Sequence, residues 1–252
     1  MGPTLAFDEW GAGPTLGLVH GFTQTRHSWD PLLEALERGW RVLAFDAPGH
    51  GRSADVQLDL PATGAAIART CGEAHLIGYS MGGRMALHAA LAAPAHVRSL
   101  VLVGTTAGLV DPAARAARRE ADESLAARIE AGGDEGLPSF LSEWLKGPLF
   151  AGLDLAAAGL ASRLENTAAG LASSLRLCGT GAQEPLDDRL DSVSAPTLLV
   201  VGEHDAKFRA EAERLAEGLL HAEIAVIQDA GHACHLEQPD AFVDLVLPWL
   251  DR

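Results

Sequence analysis

Short apolar runs recur along the chain, each followed by turn residues and then by a helical spacing of apolar positions. They are Leu16–Val19, Arg41–Phe45, His75–Ile77, Leu100–Val103, Thr197–Val201 and Ile224–Ile227. Runs that are apolar nearly throughout, rather than alternating, predict strands of a mainly parallel sheet buried on both faces. The helical segments between them supply the covering layers, so the pattern predicts an α/β protein. This rhythm stops between about Gly108 and Leu186, where strand signals vanish and alanine-rich helical segments follow one another. Asp111 before Pro112 predicts an N-cap with proline at the first helical position, and Asp154 and Thr167 are placed to cap later helices. The stretch therefore predicts a helical cap over the functional edge of the sheet. Residues 1–107 and 187–252 form the core and 108–186 the cap in this reading.

Composition narrows the partners. A chain of 252 residues, 48% hydrophobic, can build one large core carrying an insertion. Its formal charge of -15 argues against nucleic acid or an anionic membrane as partner, since both would repel it at long range. Three widely spaced cysteines, Cys71, Cys178 and Cys234, give no disulfide framework and point to a reducing compartment. Met1 to Trp10 lacks the basic start and apolar core of a secretory signal, and no apolar run reaches bilayer length. These features predict a soluble, cytoplasmic protein, a monomer or small homo-oligomer.

The candidate chemistry centres on Gly78-Tyr79-Ser80-Met81-Gly82-Gly83-Arg84, which lies between an apolar run and a helical pattern. A Gly-x-Ser-x-Gly in strand–turn–helix context holds its serine on a strained turn, with the hydroxyl lifted clear of the sheet. Ser80 is thus a candidate nucleophile or base. Such a serine needs a general base and a carboxylate to orient that base. Gly202-Glu203-His204-Asp205 follows one later strand and Gln228-Asp229-Ala230-Gly231-His232 the next. His232 is the preferred base, and Asp205 the preferred acid over Glu203 and Asp229, because its distance beyond the strand leaves room to turn back. His20-Gly21-Phe22 ends the first of the apolar runs, where the Phe22 amide, with that of Met81, can point at a developing negative oxygen. His20 and His50, the latter in the tight turn Asp46–Ser53, read as structural. His232-Ala233-Cys234-His235 is spaced too tightly to converge on a metal, so neither a metal nor a cofactor is expected.

Taken together these segments resemble the α/β-hydrolase superfamily, across essentially the whole chain. The resemblance implies the α/β-hydrolase fold but leaves the reaction open, because this fold hosts esterases, C–C hydrolases, lyases and receptors. A narrower resemblance rests on Gly78–Arg84, on Gly108-Leu109 leading to Arg118–Asp122, on Glu143–Phe150, on Arg163 before Leu171–Leu175, and on Gly202–Phe208. This pattern is similar to the 2-succinyl-6-hydroxy-2,4-cyclohexadiene-1-carboxylate synthases of menaquinone biosynthesis. It implies a cofactor-independent lyase in which the triad removes a proton from a cyclohexene precursor and pyruvate leaves by elimination. It also implies that Arg84, Arg118 and Arg163 bind the carboxylates of a small-molecule polycarboxylate, with Tyr79 and Trp144 lining the pocket. The alternatives are a carboxylesterase or C–C bond hydrolase with Ser80 as covalent nucleophile, and a non-catalytic receptor. Against the arginines stands the bland reading of solvated helix faces, since residues 108–186 hold seven basic and eleven acidic side chains. The glycines of Gly132-Gly133-Asp134-Glu135-Gly136 and the run Ala156–Gly159 predict cap helices that are displaced or mobile.

Overall fold

The computed structural model describes residues 3–154 and 156–252. Seven strands form one sheet: β1 (Phe7–Trp10), β2 (Thr15–Val19), β3 (Arg41–Phe45), β4 (Ala74–Tyr79), β5 (Val97–Val103), β6 (Thr197–Gly202) and β7 (Ala222–Ile227). Their order is β1-β3-β2-β4-β5-β6-β7. Strands β2 to β7 contain the apolar runs and pair in parallel. The first strand has no counterpart among those runs. Phe7-Asp8-Glu9-Trp10 pairs antiparallel with β3 at the sheet edge, where carboxylates on a strand are tolerated, so a search for buried runs passes over it. At the opposite edge Ile224 and Val226 of β7 are exposed, contrary to the expectation of burial on both faces. An edge strand has one neighbour only, and its outer residues outrun the helical cover.

Side-chain alternation divides the core into two layers. Val19, Leu43, Phe45, Leu76, Leu102 and Val201 pack on one face with α2 (Leu60–Cys71), α3 (Met81–Ala92) and α7 (Ala206–Gly218). Leu16, Leu18, Val42, Ile77, Val103 and Val200 point to the other, beneath α1 (Asp30–Leu36) and α9 (Pro239–Leu250). Each such side chain contributes about 1.5–3 kcal/mol on burial. The strand order reverses where β2 lies between β3 and β4, so the loops that leave the carboxyl ends of β2 and β4 open a crevice there.

Between β5 and β6 the described residues form helices and turns alone: α4 (Pro112–Trp144), α5 (Leu160–Arg163) and α6 (Ala168–Cys178), with a single 3-10 turn at Pro148–Phe150 and another at Asp187–Ser192. Asp111 caps α4 by accepting from the Ala113 and Ala114 amides, and Thr167 caps α6 through Gly170. Asp154 behaves differently. Its carboxylate accepts from the Ala156 amide, but Gly159 takes a left-handed conformation (φ 65) and α5 starts only beyond it. The glycine-rich stretch breaks α4 at Gly133 (φ 59, ψ -172). The bend brings the Asp134 carboxylate to 2.7 Å from the Ala168 amide, so the break fastens the start of α6. Ala126, Ile129, Leu141, Leu171 and Leu175 give the cap a small core of its own.

The cap meets the sheet's loops closely. A Cβ on Gly49 would lie 2.2 Å from the Gly170 carbonyl oxygen, so α6 can rest against the loop after β3 only because that position is glycine. Among the described residues no helix is long and apolar enough to cross a membrane. All three cysteines are unpaired and buried. The remaining helix is α8 (Cys234–Glu237), just beyond β7.

Candidate active site

Ser80 sits between β4 and α3 with φ 52 and ψ -107, a region that costs a non-glycine residue about 1–3 kcal/mol. Its neighbours explain why the chain tolerates this. A Cβ on Gly82 would stand 2.0 Å from the Val19 carbonyl oxygen, and one on Gly78 would stand 2.5 Å from that of Gly82. With both side chains missing, the turn closes against β2. The Ser80 amide then donates to Val103 O (2.8 Å), and the Thr105 hydroxyl donates to Ser80 O (2.8 Å).

The structure brings His232 and Asp205 to this serine. His232 Nε2 lies 3.2 Å from Ser80 Oγ, and His232 Nδ1 lies 2.7 Å from Asp205 Oδ2. A carboxylate can only accept, so Nδ1 carries the proton and Nε2 is left to take one from the serine. Asp205 is held in turn, because its other oxygen caps α7 through the Phe208 amide (3.3 Å). Gly104 (φ 53) gives His232 its room, since a Cβ there would lie 2.9 Å from the ring. His20 and His50 pin the loops beneath the site. His20 accepts from the Ala47 amide and His50 from that of Thr23, and each donates through Nδ1 to a carbonyl. Burial lowers both, His20 to about 4 and His50 to about 3, so they stay neutral.

A cavity opens above the triad. Ser80, His232, Phe22, Met81, Arg84, Arg118 and Trp144 all line it. Among the described residues the main-chain N–H groups of Phe22 and Met81 make no hydrogen bond within the protein, and both residues line the cavity. Arg84 is 5% exposed; among the described residues its guanidinium makes no ion pair and donates one hydrogen bond, to the Gln183 side chain (3.3 Å). Burial draws its guanidinium down to about 10. A buried cation without an ion pair calls for an anion. Arg118 is half-exposed and paired with Asp122 at 2.8 Å.

The alpha/beta hydrolase family matches residues 18–245. A 2-succinyl-6-hydroxy-2,4-cyclohexadiene-1-carboxylate synthase of Klebsiella pneumoniae is 35% identical over 238 residues, covering 91% of each chain. The chain belongs to this synthase family of alpha/beta hydrolases. Among solved structures it is similar to MenH from S. aureus, with a TM-score of 0.89 and 28% identity over 98% of both chains. It is also similar to a thermophilic esterase from Thermogutta terrifontis solved with malate bound, with a TM-score of 0.84 and 27% identity over 98% of this chain and 93% of that one.

Of the residues carried over by resemblance to the synthases, Arg84, Arg118 and Trp144 reach the cavity wall, whereas Tyr79 and Arg163 do not. The Tyr79 ring is buried in the core, 5.3 Å from that of His232 and 4.4 Å from that of His235. Gly21 makes space for it, as a Cβ there would lie 2.7 Å from the ring. Arg163 is 1% exposed and donates to Ala158 O (2.7 Å) and to the Thr23 hydroxyl, so it fastens α5 to the loop after β2. Registry with a motif fixes where a residue falls in the chain. It does not fix which way a four-residue helix turns its side chains.

Sequence reasoning missed two supports of the triad. The Glu237 carboxylate accepts from the amides of Gly231 (2.7 Å) and Ala233 (3.0 Å), gripping the loop on either side of His232. The Phe208 ring packs 4.4 Å from the His232 ring. Glu237 carried no local signal, but Phe208 stands three residues after the acid, at the spacing of a helix's first turn.

Proposed function

We propose that the chain is a lyase of menaquinone biosynthesis. It converts 2-succinyl-5-enolpyruvyl-6-hydroxy-3-cyclohexene-1-carboxylate into 2-succinyl-6-hydroxy-2,4-cyclohexadiene-1-carboxylate and pyruvate, without a cofactor. The observation that carries this reading is the buried, unpaired Arg84 opening onto the same cavity as Ser80 and Arg118. A neutral ester gives such a cation no counter-ion, whereas a polycarboxylate does.

The change from a 3-ene to a 2,4-diene defines the electron flow. Ser80 Oγ takes the proton from ring carbon 2, beside the succinyl carbonyl, while passing its own proton to His232 Nε2. Asp205 stabilises the imidazolium. Negative charge developing on the succinyl oxygen is met by the Phe22 and Met81 amides. The electron pair then forms the 2,3 double bond, the 3,4 bond shifts to 4,5, and the bond from carbon 5 to the enolpyruvyl oxygen breaks. His232 returns its proton to the departing enol, which becomes pyruvate. Arg84 and Arg118 bind carboxylates, Trp144 lines the pocket, and Arg163 and Tyr79 brace the site from behind. We further infer a cytoplasmic enzyme, monomer or small homo-oligomer, acting on a small molecule. The net charge of -15 and the unpaired cysteines support that.

Purified protein given the precursor is expected to release pyruvate and form the diene chromophore; no rate above background overturns the proposal. Arg118→Ala is expected to raise KM about tenfold with little change in kcat. Likeness to the esterase favours one second reading, hydrolysis through an acyl-Ser80. That reading fails if short-chain esters are untouched and no acyl-serine is trapped.

A further inference from the structure

The proposed substrate carries three carboxylates, on the ring, on the succinyl arm and on the enolpyruvyl group. Arg84 and Arg118, the latter shared with Asp122, are the cavity cations assigned above to two of them, and Arg163 is turned into the seam between cap and sheet. A third cation does line the cavity. Lys207 stands on the first turn of α7, two residues after Asp205. Its ammonium lies 5.1 Å from the centroid of the Phe208 ring, and that ring packs 4.4 Å from His232. The lysine charge is thus one aromatic ring removed from the triad base. The ordinary reading of an exposed lysine is a solvated surface charge. Three observations weigh against it here.

Lys207 faces the cavity that holds Ser80 and Arg84, and not open surface alone. Among the described residues it makes no ion pair; the pairs on its helix belong to Arg214, with Asp187 and Glu211. Glu211, the one carboxylate on the same wall, accepts from the Thr106 hydroxyl (2.6 Å) and from Arg214 (2.8 Å), so its charge is already answered. Composition adds weight as well. Of nineteen basic residues only Lys146 and Lys207 are lysines. An ammonium is a compact point charge on a flexible stem, able to follow a carboxylate whose position changes as a bond breaks.

We propose that Lys207 is the third carboxylate-binding residue of the cavity, pairing with the substrate carboxylate that Arg84 and Arg118 leave unanswered. This rests on the lyase reading above. Pyruvate release is to be measured at constant ionic strength for the unaltered protein, Lys207→Gln, Lys207→Arg and Lys146→Gln. Lys207→Gln is expected to raise KM about tenfold with kcat within about twofold, as for loss of one charge-assisted contact. Lys207→Arg is expected to recover most of that loss, and Lys146→Gln to match the unaltered protein. A Lys207→Gln protein with unaltered KM overturns the assignment while leaving the lyase reading intact; no pyruvate from the unaltered protein overturns both.

A second measurement does not depend on turnover. In the Ser80→Ala protein, precursor at ten times its Kd is expected to slow trinitrobenzenesulfonate labelling of Lys207 about tenfold by mass action, with Lys146 in the same molecule as the internal standard. Equal labelling of Lys207 with and without precursor overturns the assignment.

Discussion

The sheet side and the cap side of the cavity hold their side chains by different means. On the sheet side a closed chain of hydrogen bonds runs from Ser80 through His232 and Asp205 to the Phe208 amide, and Glu237 grips the loop around the histidine. Ser80, Asp205 and His232 each follow the carboxyl end of a parallel strand, and Glu237 reaches back to them from α8. On the cap side Arg118 and Trp144 belong to one long helix that breaks at Gly133 and rests on a small core of its own. Proton transfer needs placement to a few tenths of an ångström, and short loops on a rigid sheet supply it. The carboxylate binding proposed for Arg118 tolerates more, as a long side chain can adjust on a helix fastened at a few points.

The largest test of this division is Ser80→Ala. It is expected to lower kcat at least about 10³-fold with a thermal midpoint near that of the unaltered protein, measured by pyruvate release and calorimetry. A midpoint that collapses as well would mean that the hydroxyl holds the turn together and does not only serve chemistry. Next comes Gly82→Ala, whose Cβ would meet the Val19 carbonyl at 2.0 Å. It should cost about 3 kcal/mol in urea unfolding, or prevent folding. An unchanged midpoint would show that the sheet side is more compliant than its contacts imply.

Acid should weaken the sheet side selectively, because all ten histidines lie outside residues 108–186. Burial lowers His20 and His88 to about 4 and His50 and His235 to about 3. These groups are neutral in the folded chain but become protonated in the unfolded chain below its histidine range near 6.5. Stability is therefore full above about pH 6.5 and falls toward pH 4, by up to about 1.4 kcal/mol per pH unit for each histidine. Urea midpoints at pH 7, 6 and 5 check this, and equal midpoints would contradict it. The smallest effect belongs to the cap. Gly132 is helical, and a Cβ there meets nothing within 4 Å, so Gly132→Ala should add about 0.5–1 kcal/mol in urea unfolding without changing KM. A raised KM would show that the helix break acts on the cavity directly.

Sequence alone singled out Ser80, Asp205 and His232, which the structure brings within hydrogen-bond distance, because a strained elbow, an acid after one strand and a histidine after the next are local patterns read against strand ends. It also located six of the seven strands, since buried runs declare themselves by continuous apolarity. What it could not do was turn side chains. Tyr79 and Arg163 carry the spacing of the synthases, yet their burial against His235 and Thr23 was decided by how α5 and the loop after β2 pack. The edge strand β1, the grip of Glu237 and the cavity-facing Lys207 are likewise tertiary outcomes. Periodicity states which residues leave water. Which neighbour each one then meets depends on contacts between segments far apart in the chain.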